Sequence, residues 1–264
     1  MRTHFIFGTL LLLFTATAFG VSEGDALPGA DAVVARMLAK DAQRQTLLDG
    51  YRGMRGYVLQ NKRMHKDAEM LVRVECDADG TKHFEVVDEK GWKAAHKHVL
   101  HKMLESEAEA SHPQVRTKTR LSTDNYQFHL AETEVLGGRP AYAIDIIPKR
   151  HEERLFEGRI CIDAEDYALV RAEGKPAKNP SFWTKSVHFV HSYQKSGPFW
   201  FPASTDSVTD VRIFGSTNLT INYFDYTPKP LQATERASMQ SQPALDGKGE
   251  RDAQSKPMLN PGRR

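Results

Sequence analysis

The sequence predicts an α+β fold in which one curled antiparallel sheet carries a small number of covering helices. Three observations predict it. Roughly ten stretches alternate apolar and polar residues at the period of a strand, only two stretches recur at helical period, and turn-forming residues punctuate most of the gaps between them. The clearest stretch runs from Leu155 to Gly174, two strands around an acidic turn at Ala164, Glu165 and Asp166. Ile160 and Ile162 share one face of the first strand, with Arg159, Cys161 and Asp163 on the other. On the second, Ala168, Val170 and Ala172 alternate with Leu169, Arg171 and Glu173.

In chain order, Asp31 follows Pro28-Gly29 and is placed to cap a helix over about 32–48, with Val34, Met37, Leu38, Gln45 and Leu48 on one side. Gly50 and Gly53 are read as its end. A three-strand meander follows, Tyr57 to about Arg63, Ala68 to Cys76 and Lys82 to Asp88, with the turn Asp77-Ala78-Asp79-Gly80 between the last two. Between Ala95 and Ala110 the pattern becomes helical, with Val99, Leu100, Met103 and Leu104 as its apolar stripe. His112-Pro113 closes this helix, because the residue before proline avoids the helical region. A short polar stretch to Asp124 has room for another helical turn.

From Asn125 onward the signal is β. Tyr126, Phe128 and Leu130 alternate, as do Tyr142, Ile144 and Ile146 after the Gly137-Gly138 turn. The 155–174 hairpin comes next, then a strand with Val187, Phe189 and Tyr193. A turn at Ser196-Gly197-Pro198 leads into Phe199-Trp200-Phe201-Pro202, and the last strands are about Ser207–Phe214 and Leu219–Tyr226.

The two ends read differently. Residues 1–20 combine a basic start, an apolar run from Phe5 to Phe14 and small residues at Ala16-Thr17-Ala18, the pattern of a cleaved secretory signal. Residues 21–28 form a short linker, 29–227 one domain, and 228–264 a tail rich in proline and polar residues that is expected to be disordered. With no cysteine near the cleavage point to carry a lipid, a soluble periplasmic protein is expected. The net charge of +2 mixes both signs over the chain and argues against nucleic-acid binding. The two cysteines, Cys76 and Cys161, are permitted a disulfide by an oxidising compartment, although alternation gives them unlike surroundings.

No constellation points to catalysis. His98 and His101 share a helix face with no third ligand nearby, and His96, His98 and His101 read as a solvated surface. His151-Glu152 lacks the second histidine of a zinc-protease signature, since position 155 is Leu. Asp163, Glu165 and Asp166 read as solvated turn acids rather than calcium ligands. Nucleophile elbows, phosphate loops and dinucleotide fingerprints are missing from the sequence. Neither an enzyme nor a cofactor is expected, and a hydrolase would need a site scattered through the fold. The thirteen Phe, eight Tyr and three Trp point elsewhere. A sheet that curls around amphipathic helices makes a concave apolar surface with the helices as a lid. Burying an acyl chain is worth about 0.8 kcal/mol per CH₂, on the order of 12 kcal/mol for a sixteen-carbon chain.

Gly158-Arg159-Ile160-Cys161-Ile162-Asp163, Val170-Arg171-Ala172-Glu173-Gly174, Phe199-Trp200-Phe201-Pro202, Arg212-Ile213-Phe214-Gly215 and Leu219-Thr220-Ile221-Asn222-Tyr223 resemble later strands of the LolA-like outer-membrane lipoprotein-sorting proteins. The stretch from Tyr51-Arg52-Gly53 to Glu85 also resembles the lipid-sensing domain of RseB/MucB-type periplasmic regulators. The resemblance implies an incomplete β-barrel closed by helices and holding lipoprotein acyl chains or another lipid. It also implies an arginine inside the barrel that latches the lid; Arg73 is a candidate, although alternation turns it from the apolar face. The expected cavity residues are Val72, Val74, Phe84, Val86, Phe128, Ile144, Ile146, Ile160, Ile162, Phe189, Ile221 and Tyr223, with Val99, Leu100, Met103 and Leu104 as lid. A monomeric carrier follows, making transient membrane contact and meeting an envelope protein as donor or acceptor. The alternative is a lipid-responsive sensor that binds a protein partner.

Overall fold

The computed structural model describes residues 27–213 and 215–231. The signal expected over 1–20 and the tail beyond 231 lie outside the described residues. Helix α1 spans Ala30–Gln45. Gly29, not Asp31, is its N-cap: the Gly29 carbonyl accepts the amides of Ala32 at 3.0 Å and Val33 at 3.1 Å. Asp31 lies inside the first turn, where its charge favours the helix dipole.

Ten strands follow: β1 Leu48–Asn61, β2 Lys66–Cys76, β3 Lys82–Gly91, β4 Tyr126–Leu136, β5 Arg139–Pro148, β6 Phe156–Asp163, β7 Leu169–Pro176, β8 Thr184–Ser196, β9 Phe199–Val211 and β10 Gly215–Pro230. They form one sheet in the order β3-β2-β1-β10-β9-β8-β7-β6-β5-β4. The expected curled antiparallel sheet with helices is therefore borne out, and it stays open between its edge strands β3 and β4. Pairing of β1 with β10 is the step that joins the first meander to the long second one.

β1 begins nine residues before the expected Tyr57. Here glycine marks close approach between backbones and not the end of a helix. Gly50 has a φ of +95°, and a Cβ there would lie 2.1 Å from the carbonyl oxygen of Cys76. At its far end β10 runs through Pro230, which stands opposite Leu48, so the ordered sheet extends three residues past the expected boundary at 227.

The middle helix is Lys93–Ser111, built of α2 (Lys93–Ala95), a π turn (His96–Leu100) and α3 (His101–Ser111). His112 is extended, with φ −60° and ψ 137°, and Pro113 opens α4, Pro113–Thr119. A π turn adds one residue to the helical repeat and so rotates the buried face. Ala95, His96, Leu100 and Leu104 therefore point to the sheet, while Val99 is 40% exposed. His96 leaves the expected solvated surface: its Nε2 pairs with the Lys90 carbonyl at 2.9 Å, and Glu89 stands 3.6 Å from Nδ1.

The 155–174 hairpin forms as expected, with one correction. The register slips between Cys161, opposite Arg171, and Ile162, opposite Leu169. This bulge takes Val170 out of the alternation and puts Leu169 against the core that holds Ile160, Ile162 and Ala172. Asp163 closes the turn. Its Oδ1 accepts the amides of Glu165 at 3.0 Å and Asp166 at 2.7 Å, and its two oxygens take the Arg139 fork at 2.5 and 2.8 Å. Burial opposes the Asp163 charge, but Arg139 and the two amides outweigh it and hold the carboxyl below its usual range. The acidic trio is thus occupied by an arginine, not simply solvated.

The core is divided into two. On one half of the sheet, Leu100 and Leu104 cover Tyr57, Leu59, Met70, Val72, Val74 and Ile221. On the other, Val33, Val34 and Met37 of α1 cover Phe128, Ile144, Ile146, Leu155, Ile160 and Ile162. Cys76 and Cys161 are both buried, and both are free thiols. Among the described residues no helix is long and apolar enough to cross a membrane.

Candidate functional site

Where the two cores leave space between them, charge replaces apolar packing. Arg55 projects from β1 with only 3% of its surface exposed. Its guanidinium donates to Glu107 of α3 twice, at 2.7 Å to Oε2 and 3.0 Å to Oε1. Lys82, at the start of β3, donates to Glu107 Oε1 at 2.7 Å. The flat faces of the guanidinium are also used, with the rings of Phe84 at 5.1 Å and Tyr223 at 4.8 Å. Burial disfavours the Glu107 charge, but Lys82 and Arg55 dominate and hold its carboxyl far below the ordinary range. The same carboxylate outweighs the burial of Arg55 and raises its pKa.

Glu107 lines two clefts. One, of about 400 Å³, lies under α3 between Met103, Ser106 and Ala110 on the helix and Tyr57 and Ile221 on the sheet, with Thr119 and Arg154 at its rim. The other, of about 350 Å³, lies between the end of α1 and the sheet, walled by Tyr51, His191, Tyr193, Phe199, Phe201 and Tyr223. Both fall in the range of about 300–1,000 Å³ common for small-ligand sites. In the second, Tyr51 stands edge-on to Phe201 at 5.2 Å, and Phe201 is backed from outside the cleft lining by Tyr226, stacked on it at 4.4 Å.

His191 on β8 stands in this second cleft. Its Nδ1 pairs with the Thr205 hydroxyl, which also meets Tyr223 Oη at 3.0 Å. Burial, then the cation of Lys82, lowers its pKa to about 4; Glu107 opposes this and Arg55 adds to it. A histidine that is neutral when folded but titrates near 6.5 when unfolded contributes stability that is complete above about pH 6.5. That contribution declines as the pH falls towards 4, by about 1.4 kcal/mol per pH unit, on the order of 3 kcal/mol in all. Denaturation followed from pH 7 to 4 should show this slope, and His191→Gln should flatten it. Equal slopes in both proteins would assign the loss to other groups. Glu107 acts in the same direction only at lower pH, because a depressed carboxylate stabilises the fold above its unfolded pKa and loses its effect as it protonates.

The expected cavity and lid residues are distributed among clefts, cores and the surface. Ile221 and Met103 line the first cleft and Tyr223 the second. Val72, Val74, Leu100 and Leu104 fill the core under the middle helix, while Phe128, Ile144, Ile146, Ile160 and Ile162 fill the core under α1. Phe84 packs beside the first core, and Phe189 meets the Phe156 ring at 5.2 Å. Phe84, Val86 and Leu104 also line an open cleft of about 380 Å³ between β3 and α3, in which Val86 is 39% exposed, while Val99 is turned outward, 40% exposed. Arg73 is not the inward arginine: it pairs with Glu85 on the outer face of the β2–β3 ladder. The inward arginine is Arg55. Its signal is a charge on the same alternation as Tyr57, Leu59 and Asn61, two residues before the expected start of the strand at Tyr57. Glu107 carried a matching signal, three residues after Leu104 and four after Met103 on the helix stripe.

Among the described residues, no group of three or more His, Cys, Asp or Glu is arranged to hold a metal ion. Residues 120–227 match the model of a family of unknown function, DUF5686. No curated protein matches the sequence. Among solved structures, the chain is similar to a LolA superfamily protein from Nitrosomonas europaea, with 7% identity, coverage of 78% of this chain and 96% of that one, and a TM-score of 0.42. It is also similar to a putative outer membrane lipoprotein-sorting protein domain from Vibrio parahaemolyticus, with 10% identity, 80% and 97% coverage and a TM-score of 0.39. MucB is a third, with 11% identity, 79% and 97% coverage and a TM-score of 0.28. Similarity at this level says nothing about ligand or partner.

Proposed function

We propose that the protein is a periplasmic carrier, taking a lipoprotein acyl chain or another lipid between its helices and its sheet and shuttling it toward the outer membrane. The observation that carries the reading is the pair between buried Arg55 and half-buried Glu107, which ties α3 to β1 between two clefts with aromatic and aliphatic walls. A buried ion pair adds little net stability compared with apolar packing, so its value lies in fixing one arrangement that can be exchanged for another. The magnitudes permit that exchange. Releasing the pair costs about 3–5 kcal/mol when both partners are fully buried. A sixteen-carbon chain returns on the order of 12 kcal/mol on burial.

Native mass spectrometry with lipid extraction, on protein purified from its own periplasm, should find a co-purifying acylated species. Time-resolved release to acceptor membranes then separates a carrier from a sensor that keeps its ligand. Filling the first cleft by Ser106→Trp with Ala110→Leu should reduce lipid uptake at least tenfold with little change in Tm, because both side chains face open space. A protein that is reproducibly empty and takes up no added lipid would end the reading.

A further inference from the structure

The end of the sheet where β8 begins carries an aromatic tip. The β7–β8 connection, residues 177–183, ends in Phe182 and Trp183, 76% and 53% exposed, their rings 5.5 Å apart and edge-on. Ile213, 55% exposed, sits in the neighbouring β9–β10 turn, since Val211 pairs with both Thr184 and Gly215. Isolated exposed apolar residues are ordinary on protein surfaces. Three together on one tip are not, and these are held in place. Arg212 donates its amide to the Trp183 carbonyl at 2.9 Å and its Nε to the Phe182 carbonyl at 3.1 Å, with its guanidinium over the Phe182 ring. Asn179 donates to the carbonyls of Thr184 and Lys185, both at 3.2 Å, and the hydroxyls of Ser181 and Thr184 meet at 2.9 Å. A hydrogen-bonded frame thus keeps two aromatic rings in water.

The charge around the tip is mostly positive. Lys175, Lys178, Lys185 and Arg212 line a concavity of about 660 Å³ beside Phe182, with Glu157 as the single acid of its lining. Lys175 and Lys178 reach Glu157 and Glu153, whereas Lys185 and Arg212 have no carboxylate partner among the described residues. The β1–β2 turn adds Lys62 and Arg63 at the same end, because Asn61 stands opposite Thr217 and the Arg63 side chain lies against Gly215.

We infer that this end of the sheet docks onto an anionic membrane surface, with Phe182, Trp183 and Ile213 entering the interface and Lys178, Lys185, Arg212 and Arg63 facing the headgroup phosphates. Indole and phenyl rings settle at the boundary between hydrocarbon and headgroups, and clustered cations are drawn to anionic leaflets. Charge complementarity selects the bilayer over a second copy of this chain, whose matching face would present the same cations. The docking surface needs neither cleft nor latch, so it stands apart from the carrier reading.

The test is co-sedimentation of the full mature chain with vesicles of phosphatidylglycerol and phosphatidylcholine, against phosphatidylcholine alone. Binding should require the anionic lipid and weaken as salt rises. Brominated lipid should quench tryptophan fluorescence, and Trp183→Phe should remove that quenching while Trp92 and Trp200 remain. Phe182→Ser with Trp183→Ser should lose at least tenfold in binding at unchanged Tm, as should Lys178→Glu with Lys185→Glu. The filled-cleft variant Ser106→Trp with Ala110→Leu should bind vesicles like the parent. The inference is overturned by an absence of anionic-vesicle binding, by equal binding of the aromatic variant, or by loss of binding in the filled-cleft variant. A dimer abolished by the aromatic variant, in a protein that ignores vesicles, would make the tip a self-association surface and overturn it equally.

Discussion

Replacing Arg55 by methionine is expected to loosen α3 from the sheet without unfolding the α1 half of the molecule. Removing one partner of a fully buried ion pair costs about 3–5 kcal/mol, because the other charge is left without its compensation. Two features reduce that here: the Glu107 side chain keeps 36% of its surface in water, and Lys82 remains 2.7 Å from it. About 2–3 kcal/mol is therefore expected in urea denaturation. The sharper readout is local. Amide exchange should quicken in α3 and leave α1 as it was, since the two helices sit on cores with no shared residue. Glu107→Gln should move α3 the same way and at least as far, because it leaves the Arg55 guanidinium, only 3% exposed, without a counter-charge, even though an amide oxygen can still accept one of its hydrogen bonds. Uniform loss of protection over both helices, or none over α3, would show that the pair is not a local tie.

Ile162→Asp is expected to abolish cooperative folding. Ile162 is fully buried beneath α1 with Ile160, Ile144 and Met37. Truncating such a side chain costs about 2–5 kcal/mol, and placing a carboxyl group there without a partner adds several more. The sum exceeds about 5 kcal/mol, comparable to the whole stability of many domains. Near-ultraviolet circular dichroism should show the loss of fixed packing, whereas Ile162→Val should cost only about 1 kcal/mol. Loss of lipid retention in Ile162→Asp would then report unfolding and not a cavity wall. A folded, cooperative Ile162→Asp would mean that the core under α1 is far looser than its contacts imply.

The kind and number of elements were readable because they depend on local physics. Period-two alternation, the Asp77–Gly80 and Gly137-Gly138 turns, and the proline after His112 each act over a few residues. So did most inward directions: Val72, Val74, Ile144, Ile146, Ile160, Ile162 and Ile221 are all buried as alternation places them. The failures occur where one extra residue enters. The bulge at Val170 moved Leu169 to the dry face, and the π turn at His96–Leu100 turned Val99 out and His96 in. Neither insertion leaves a mark on the local pattern, since both are stabilised by what packs on them.

The sequence by itself determined that the chain alternates into an antiparallel sheet with two covering helices, because side-chain direction follows from backbone period. Tertiary structure alone decided what those side chains meet. It set β1 beside β10, divided the core in two, and brought Arg55 to Glu107 across 52 residues of chain. The reason is that alternation records the face a residue takes and not its neighbour. A charge on an inward face becomes tolerable only when the fold supplies its partner.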